Sequence, residues 1–309
     1  MTSIEAMRTA LIQSDPRLSK YNPLPRILCF DDFDDGVNGW TELLGNHDGD
    51  LDNVQPDRRD FRPPQISNLT FFDVGSHGAM GGNYALKIAT RPRPNHQATV
   101  CKRLMWAGAG QVQLETYFTF KAEATFDREP RGGREYDGNY HPSEADFGSF
   151  TIGNDVSESE DGPRYHCVLR YVNTDQDGEF VQKWFSTTSP SPSTKALVAG
   201  EVKEVPDFHV TRPGDWREVP DSYMPLCYNE VPTKVNWHYL RWRFDLSTRR
   251  NVELQINDRV MDLRDVPVPV RPDPYWGLSR LLNFSLDVRT HTDVRNFLYA
   301  DSILISVDW

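Results

Sequence analysis

The chain has 309 residues, of which 38% are hydrophobic and 26% are charged, and it carries 8 Trp, 12 Tyr and 16 Phe. This composition supplies enough apolar side chains for a large core and argues against a disordered chain. The net charge of −11, without a basic run that could follow a phosphate backbone, argues against nucleic acid as a partner, and no run approaches the roughly 18 apolar residues that suggest a membrane span.

The first predicted element is a short amphipathic helix within residues 2–12. Thr2 and Glu5 have the spacing of a capping box, and Ile4, Met7 and Leu11 fall on one helical face. A flexible leader is the alternative, since terminal segments fray. We predict that residues 1–25 form this helix and a leader. Because they lack the apolar stretch of a secretory signal, we expect a cytoplasmic protein.

From residue 26 onward the hydrophobic pattern has period two, which indicates β-strands. Ten segments alternate or are rich in β-branched and aromatic residues. They are residues 26–33, 84–90, 111–121, 147–153, 164–172, 179–187, 236–246, 251–257, 281–289 and 297–307. Strands without a long intervening helical pattern predict a sandwich or barrel. We therefore predict a single all-β domain over residues 26–309.

Long loops are predicted at residues 41–83, 122–146 and 188–233, which hold many proline and turn residues. Loops of this length in a compact domain tend to shape a binding site or to lack order. The cysteines, at positions 29, 101, 167 and 227, are too far apart for a CxxC metal site and too few to staple a chain this long. We expect buried thiols in a reducing compartment.

Several stretches, taken in order, resemble one fold family. They are residues 30–40 (FDDFDDGVNGW), 76–78 (SHG), 82–88 (GNYALKI), 237–246 (WHYLRWRFDL), 252–258 (VELQIND) and 299–305 (YADSILI). Together they resemble the concanavalin A-like lectin and glucanase superfamily with its carbohydrate-binding modules, and within it most of all a family of bacterial cytosolic proteins. The resemblance implies an antiparallel two-sheet jelly-roll sandwich with a short N-terminal helix and long loops.

The resemblance also implies a structural Ca²⁺ where the first and last strands lie side by side. Asp32, Asp34 and Asp301 would supply carboxylates, and backbone oxygens near Gly82 and Asn83 would complete the shell of six to eight oxygens that this hard cation prefers. The alternative is that the acidic run is a solvated strand end without a metal.

Alternation within three predicted strands places polar side chains on one face of each strand. With His291 just beyond the last strand, these side chains are Glu115, Tyr117, His166, Arg170, Asp287, Arg289 and His291. If the three strands are neighbours, the side chains converge on a concave polar and aromatic patch of the kind that binds sugars. The alternative is the exposed face of an antiparallel sheet, where polar side chains need no function.

Most enzyme signatures are missing. The segment Glu144, Ala145 and Asp146 lacks the second Glu of a retaining glucanase motif, and no His-x-His pair, P-loop, nucleophile elbow or dinucleotide fingerprint is present. What remains is cofactor-free acid–base chemistry on a sugar, by a hydrolase or a lyase, and whether the chain is an enzyme stays open. The candidate catalytic residues are Glu115, His166 and Asp287, and the candidate substrate contacts are Tyr117, Arg170, Arg289 and His291.

Two functions are therefore carried forward. The first is a jelly roll that binds, with or without processing, a carbohydrate or glycoside in a cleft walled by the long loops. The second is a non-catalytic structural or oligomerising module, which predicts exposed apolar side chains at Ile4, Met7 and Leu11. Tryptophans in or near the loops serve as sugar platforms in the first view and as core residues otherwise. They are Trp106, Trp184, Trp216 and Trp276.

Overall fold

The computed structural model describes residues 3–42, 65–67, 79–105, 108–123, 142–159, 164–187, 193–198, 201–206, 216–228, 236–271 and 279–309. Helix α1 spans Ser3–Ser14, as predicted, and a 3-10 helix spans Pro142–Asp146. Thr2, the predicted cap of α1, lies outside these ranges. None of the helices within them has the length and apolar character that crossing a bilayer requires.

The strands follow in chain order. They are β1 (Arg26–Asp31), β2 (Trp40–Glu42), β3 (Gln65–Ser67), β4 (Ala85–Ala89), β5 (Gln97–Met105), β6 (Gln111–Ala122), β7 (Ser149–Ser157), β8 (Arg164–Thr174), β9 (Phe180–Thr187), β10 (Ser193–Val198), β11 (Glu201–Pro206), β12 (Trp216–Glu218), β13 (His238–Asp245), β14 (Arg250–Ile256), β15 (Arg259–Asp262), β16 (Val270–Arg271), β17 (Leu281–Arg289) and β18 (Asn296–Val307).

Within the described residues the strands form two large antiparallel sheets and one separate hairpin of β10 and β11. The sheet that we call the back sheet has the order β15-β14-β13-β6-β18-β4-β3, and β1 pairs with β18. The front sheet has the order β12-β9-β8-β7-β17-β5-β2, and β16 pairs with β8. This is the antiparallel two-sheet jelly-roll sandwich that the sequence predicted, with its N-terminal helix.

The core lies between the sheets and is filled by alternate residues of the strands. Leu114 and Phe118 of β6 are buried there, together with Phe150 of β7, Trp242 of β13 and Phe284 of β17. The rings of Phe118 and Phe150, from opposite sheets, lie 4.9 Å apart between centroids. Because side chains alternate along a strand, the polar residues between these positions point away from the core, so each sheet also has an outer face.

The residues between α1 and β1 lie across the outer face of the back sheet, and we call residues 15–25 the N-terminal strap. The Leu24 N–H donates to Ser306 Oγ at 3.0 Å, and the Tyr21 hydroxyl donates to the Ser302 carbonyl. The second contact depends on a β-bulge in β18, where the register with β6 shifts between Asp301 and Leu304. Ser302 has a φ of 53° at this bulge, so the strap docks where the sheet is irregular.

The structure corrects several local predictions. Strand β5 was not predicted, and the predicted loop 188–233 contains β10, β11 and β12. The short strand β3 lies within the predicted loop 41–83. Cys101 and Cys167 are buried free thiols, as expected, but Cys227 is exposed and Cys29 only partly buried.

Candidate functional site

The outer face of the front sheet carries a row of polar side chains on its central strands. β7 lies between β8 and β17, and the register places Thr151 between Arg170 and Asp287. These three residues point outward, because Phe150 and Ile152 on either side of Thr151 belong to the core. Thr151 and Asp287 are nevertheless buried. The row is therefore covered by other groups of the molecule, and we call it the polar floor.

Arg170 is held in a fixed orientation on this floor. Its guanidinium carbon lies 3.8 Å from the centroid of the Trp216 ring, and its Nε donates to Thr151 Oγ1 at 3.3 Å. Burial lowers the pKa of the Arg170 guanidinium to about 10, while the charge of Asp287 raises it and that of Arg289 lowers it. The group stays cationic at neutral pH. A stacked and hydrogen-bonded arginine presents its charge at one defined position.

Arg289 lies two residues along β17 from Asp287, in register with Ser149 of β7 and Gln97 of β5. One of its terminal nitrogens lies 3.4 Å from Asn95 Oδ1, in the turn before β5. The hydroxyl of Ser149 is buried between the strands that carry Arg170 and Arg289. Arg170 and Arg289 thus lie on the two strands that flank β7, and their guanidinium groups contact Trp216 and Asn95 respectively.

Some buried polar atoms of this face have no hydrogen-bond partner in the part of the chain that the structure describes. Ser149 Oγ and Asn283 Oδ1 are two of them, in residues only 1% and 9% exposed, and the indole nitrogen of Trp216 is a third. A buried polar group without a partner costs roughly 1–3 kcal/mol. Such groups in native proteins require an explanation, and an ordered water molecule or a bound ion is a frequent one.

Two histidines lie against glycines of the central strands. A Cβ atom on Gly153 would lie 2.8 Å from Ser285 Oγ and 3.6 Å from His166 Nε2. A Cβ atom on Gly148 would lie 2.9 Å from His291 Cδ2. Both positions need glycine because neighbouring groups approach the backbone closely. Because glycine has no side chain, the imidazole rings of His291 and His166 can lie close to the backbone at Gly148 and Gly153.

The register separates the predicted proton-transfer partners. His166 is level with Asp155 and Asn283, four residues from Asp287 on β17. At about 3.3 Å per residue, this places His166 roughly 13 Å from Asp287 along the strands. His166 and Asp287 share a face, as predicted, but they do not form an acid–base pair. Beside His166, Asp155 accepts a hydrogen bond from Arg164 Nε at 2.7 Å.

Glu115 and Tyr117 do not join this face, so the predicted convergence is wrong for these two residues. They lie on β6 of the back sheet, whereas His166, Arg170, Asp287 and Arg289 lie on β8 and β17 of the front sheet. Their side chains point away from the core on the opposite side of the sandwich. The error arises because alternation fixes the face of a strand but not the sheet to which the strand belongs.

Glu115 is instead a fully buried anchor for the N-terminal strap. Its Oε1 accepts the Asn22 N–H at 2.8 Å and the Tyr239 hydroxyl at 2.6 Å, and its Oε2 accepts Gln113 Nε2 at 2.9 Å. The ring of Tyr117 packs between those of Tyr21 and Tyr239, with centroids 6.0 and 5.4 Å away. Burial and the charge of Glu115 raise the pKa of Tyr117. These contacts leave no room for a substrate at Glu115.

The predicted calcium ligands meet the glycine turn through hydrogen bonds. Asp301 Oδ2 accepts the N–H groups of Met80 and Gly81 at 2.7 and 2.9 Å. Asp34 Oδ1 accepts those of Asn83 and Tyr84 at 2.7 and 3.0 Å. The turn therefore presents donors where a hard cation needs oxygen atoms. Within the described ranges no three His, Cys, Asp or Glu side chains form a metal-binding group, and the residues do not fit Ca²⁺.

A lysine from the strap supplies the positive charge at this position. Lys20 Nζ lies 3.0 Å from Ser302 Oγ and 3.1 Å from where a Cβ atom on Gly81 would be. Burial lowers the pKa of Lys20, and the charges of Asp301 and Asp32 oppose that effect. Burial raises the pKa of Asp301, against the hydrogen bonds from Gly81 and Met80. The charge of Lys20 acts on the buried carboxylate of Asp301 without a direct ion pair, and it partly offsets the effect of burial on the pKa of Asp301.

Several residues of the polar floor were missed or left undecided by sequence reasoning. Ser149 and Thr151 alternate with Phe150 and Ile152, a signal that the sequence contains. Trp216 was weighed as platform or core, and its contact with Arg170 places it on the outer face, whereas Trp184 is core. Trp106 and Trp276 lie outside the described residues.

The chain matches one protein family model and is similar to several solved structures. The model described as "Domain of unknown function (DUF6772)" matches residues 8–309, and no curated protein matches the chain.

A legume lectin-like domain from Entamoeba histolytica is 8% identical, with a TM-score of 0.34, over 79% of this chain and 89% of that chain. The lectin UEA-II complexed with galactose is 8% identical, with a TM-score of 0.33, over 80% and 93%. A chain described by the words "Prominent members of the human gut microbiota express endo-acting O-glycanases to initiate mucin breakdown" is 10% identical, with a TM-score of 0.35, over 91% and 99%.

Proposed function

The chain belongs to the DUF6772 family, and we propose that it binds a carbohydrate on the polar floor of its front sheet. One observation carries the proposal: the outer face of the front sheet holds a stacked arginine together with buried hydrogen-bonding groups that have no partner among the described residues. A polyhydroxylated ligand would offer each such group a hydrogen-bond partner.

The types of group on the floor match the chemistry of a sugar. Guanidinium and carboxylate groups, here Arg170, Arg289 and Asp287, bridge vicinal hydroxyls, and an indole such as Trp216 contributes both a ring surface and an N–H donor. Ser149 and Asn283 add a hydroxyl and an amide oxygen. All of these side chains come from strands β7, β8, β12 and β17, so the surface is rigid, which lowers the cost of binding.

The geometry supports binding better than bond cleavage. Paired acid–base catalysis needs two groups within hydrogen-bond reach of one substrate atom or of each other. His166 and Asp287 are four residues apart along the sheet, and Glu115 is buried on the other sheet. We therefore propose binding without hydrolysis or elimination as the primary function.

The proposal is tested with variants of Trp216. Saccharides are first screened by thermal shift, and the affinity of each positive ligand is then measured by isothermal titration calorimetry. We expect Trp216→Ala to weaken binding by about tenfold or more. Trp216→Phe keeps a ring but loses the N–H, so its affinity should lie between those of the native chain and of Trp216→Ala. Arg250→Gln, at an exposed position of the back sheet, is the control. A panel in which no sugar binds, or in which Trp216→Ala binds as tightly as the native chain, would refute the proposal.

A second candidate function is self-association through α1. Ile4, Met7 and Leu11 are 79%, 64% and 65% exposed, as the oligomer hypothesis predicts. The test is light scattering of the native chain and of a triple serine variant at these positions. Truncation is unsuitable because it would also remove the strap contacts of Lys20. A native dimer that the triple variant converts to monomer would support this function, and a native monomer at high concentration would exclude it.

A further inference from the structure

We propose that His238 is a proton-sensitive latch that holds residues 219–228, which we call the closing segment, against the sandwich. The neutral imidazole fits its hydrogen-bond partners and the protonated imidazole does not, so acidification opens the closing segment locally. The proposal goes beyond carbohydrate binding, and none of its steps depends on the polar floor.

The closing segment connects the two sheets. The Met224 N–H donates to the Gln182 carbonyl of β9 in the front sheet at 2.8 Å, and Arg259 of β15 in the back sheet donates to the Tyr223 carbonyl at 2.5 Å. Alternate side chains of the segment are buried in the core, and they include Met224, Leu226 and Tyr228. Opening of the segment therefore exposes apolar surface, and a stretch outside the central strands is the kind of unit that opens locally.

His238 begins β13 and contacts the end of the closing segment. Its Nε2 lies 3.0 Å from the carbonyl oxygen of Cys227. Because a carbonyl oxygen only accepts hydrogen bonds, Nε2 carries the proton in this contact. The ring is 5% exposed and packs against Phe118 and Phe120, with centroids 5.4 and 6.3 Å away. The imidazole is thus held in an apolar place by a directed hydrogen bond.

The other ring nitrogen of His238 faces a donor. Nδ1 lies 3.1 Å from Nδ2 of Asn257, in the turn between β14 and β15. The amide of Asn257 cannot turn over without loss, because its Oδ1 accepts the Tyr239 N–H at 3.0 Å and its backbone N–H donates to the Tyr239 carbonyl at 2.9 Å. Nδ2 therefore donates to Nδ1, which must be unprotonated. A proton on Nδ1 would set two donors against each other.

The described elements packed against His238 do not compensate a positive charge. Two phenylalanine rings face it from β6, and the Asn257 amide faces it from the turn, where the neighbouring Asp258 is exposed to solvent. From the closing segment come the Cys227 carbonyl and Tyr228, whose hydroxyl contacts the backbone of β6. Burial lowers the pKa of the His238 imidazole, and the hydrogen bond to the Cys227 carbonyl opposes that effect.

The size of the effect follows from proton linkage. When the segment opens, the imidazole regains an ordinary pKa of about 6.5. The open state then takes up a proton at mildly acidic pH and the closed state does not. The equilibrium constant for opening should stay constant above about pH 6.5 and should rise by about tenfold to thirtyfold between about pH 7.5 and about pH 5.0.

The test is hydrogen exchange of the native chain, followed by mass spectrometry at these two pH values, with the intrinsic exchange rate at each pH divided out. Peptides of the closing segment should show the acid-induced rise and little dependence on urea up to about 1 M, because a local opening exposes little surface. Peptides of β17 should depend steeply on urea, because they exchange by global unfolding. No acid-induced rise, or the urea dependence of β17 in the closing segment, overturns the latch.

His238→Gln keeps a donor for the Cys227 carbonyl but cannot titrate, so its acid-induced rise should shrink to about twofold or less. His166→Gln, at a partly exposed position of the front sheet, is the matched control and should keep the full rise. A full rise in His238→Gln overturns the proposal. Nitrogen-15 NMR of the native chain tests it without any variant: at about pH 7.5 the proton of His238 should reside on Nε2, and a proton on Nδ1 contradicts the latch.

Discussion

Substitution of Lys20 by methionine tests whether an ammonium group takes the place of the predicted structural cation. The change removes the charge beside Asp301 and the hydrogen bond to Ser302 Oγ, while the side chain keeps a similar length. Asp301 is fully buried and retains the N–H groups of Met80 and Gly81. The carboxylate would thus be partly compensated after the substitution.

The expected loss of stability follows from these contacts. Lys20 Nζ donates a hydrogen bond to Ser302 Oγ, and a hydrogen bond that involves a charged group contributes about 1.5–3 kcal/mol. Lys20 is only partly buried, and Asp301 keeps two donors, so the cost should lie near the lower bound, at about 2 kcal/mol. For a chain of this size that corresponds to a fall in Tm of roughly 4 °C.

The assay is thermal and urea unfolding of the native chain, of Lys20→Met and of the matched control Arg17→Gln. Arg17 also faces this acidic cluster, but its ion pair with Asp32 spans 3.8 Å and its side chain is 67% exposed, so the control should lose less than about 0.5 kcal/mol. Millimolar Ca²⁺ or a chelator should leave the native Tm unchanged. Native-like stability of Lys20→Met, or a rise in Tm with Ca²⁺, would refute this account of the site.

The remaining predictions concern one titrating group, two glycines and one buried carboxylate. His238 Nε2 lies 3.0 Å from the carbonyl oxygen of Cys227, and burial lowers the pKa of the His238 imidazole from 6.5. The unfolded chain therefore takes up the proton first, so the free energy of unfolding should be constant above about pH 6.5 and decrease as the pH falls below it. His238→Gln should flatten that dependence in urea titrations, and an unchanged slope would contradict the assignment. A Cβ on Gly148 would lie 2.7 Å from a backbone carbonyl, and one on Gly153 would lie 2.8 Å from a serine hydroxyl that can rotate. Gly148→Ala should thus cost about 2–4 kcal/mol and Gly153→Ala less than half of that, and the reverse order in chemical denaturation would count against this packing. Glu115→Gln should destabilise the chain by about 1–3 kcal/mol, because three donors lose a charged acceptor, while saccharide binding by calorimetry stays within twofold of native; a large loss of affinity would show that the back sheet takes part.

The sequence predicts the fold well where apolar and polar side chains alternate along a strand. Residues 281–289 alternate between apolar and polar side chains, and β17 has these bounds. Strand β5 fails this test, since residues 98–101 are buried in succession and the partly exposed Lys102 and the exposed Arg103 follow at once. A run without period two gives no strand signal. The pairing of β5 with both β17 and β2 determines its conformation, and this information is not local.

The candidate site was only half predictable for a related reason. The common face of Asp287 and Arg289 follows from alternation within one strand, and it is confirmed. The grouping of Glu115 with them required knowing that the chain passes from the back sheet to the front sheet between β6 and β7. The residues near Asp34 and Asp301 do not fit the predicted calcium, and the sequence could not show this, because carboxylate positions do not reveal whether carbonyls or N–H groups of a turn face them. Here N–H groups do.

The contrast between the two outer faces is the strongest argument for a ligand on the front sheet. Each face carries buried polar groups, which are costly unless they are hydrogen-bonded. On the back sheet the N-terminal strap supplies several of the partners, because it brings the Asn22 N–H to Glu115 and the Leu24 N–H to Ser306. On the front sheet Ser149 Oγ and Asn283 Oδ1 have no such partner within the described residues. The described residues supply no partner for these two front-sheet groups, and a hydrogen-bonding ligand is the partner that we propose for them.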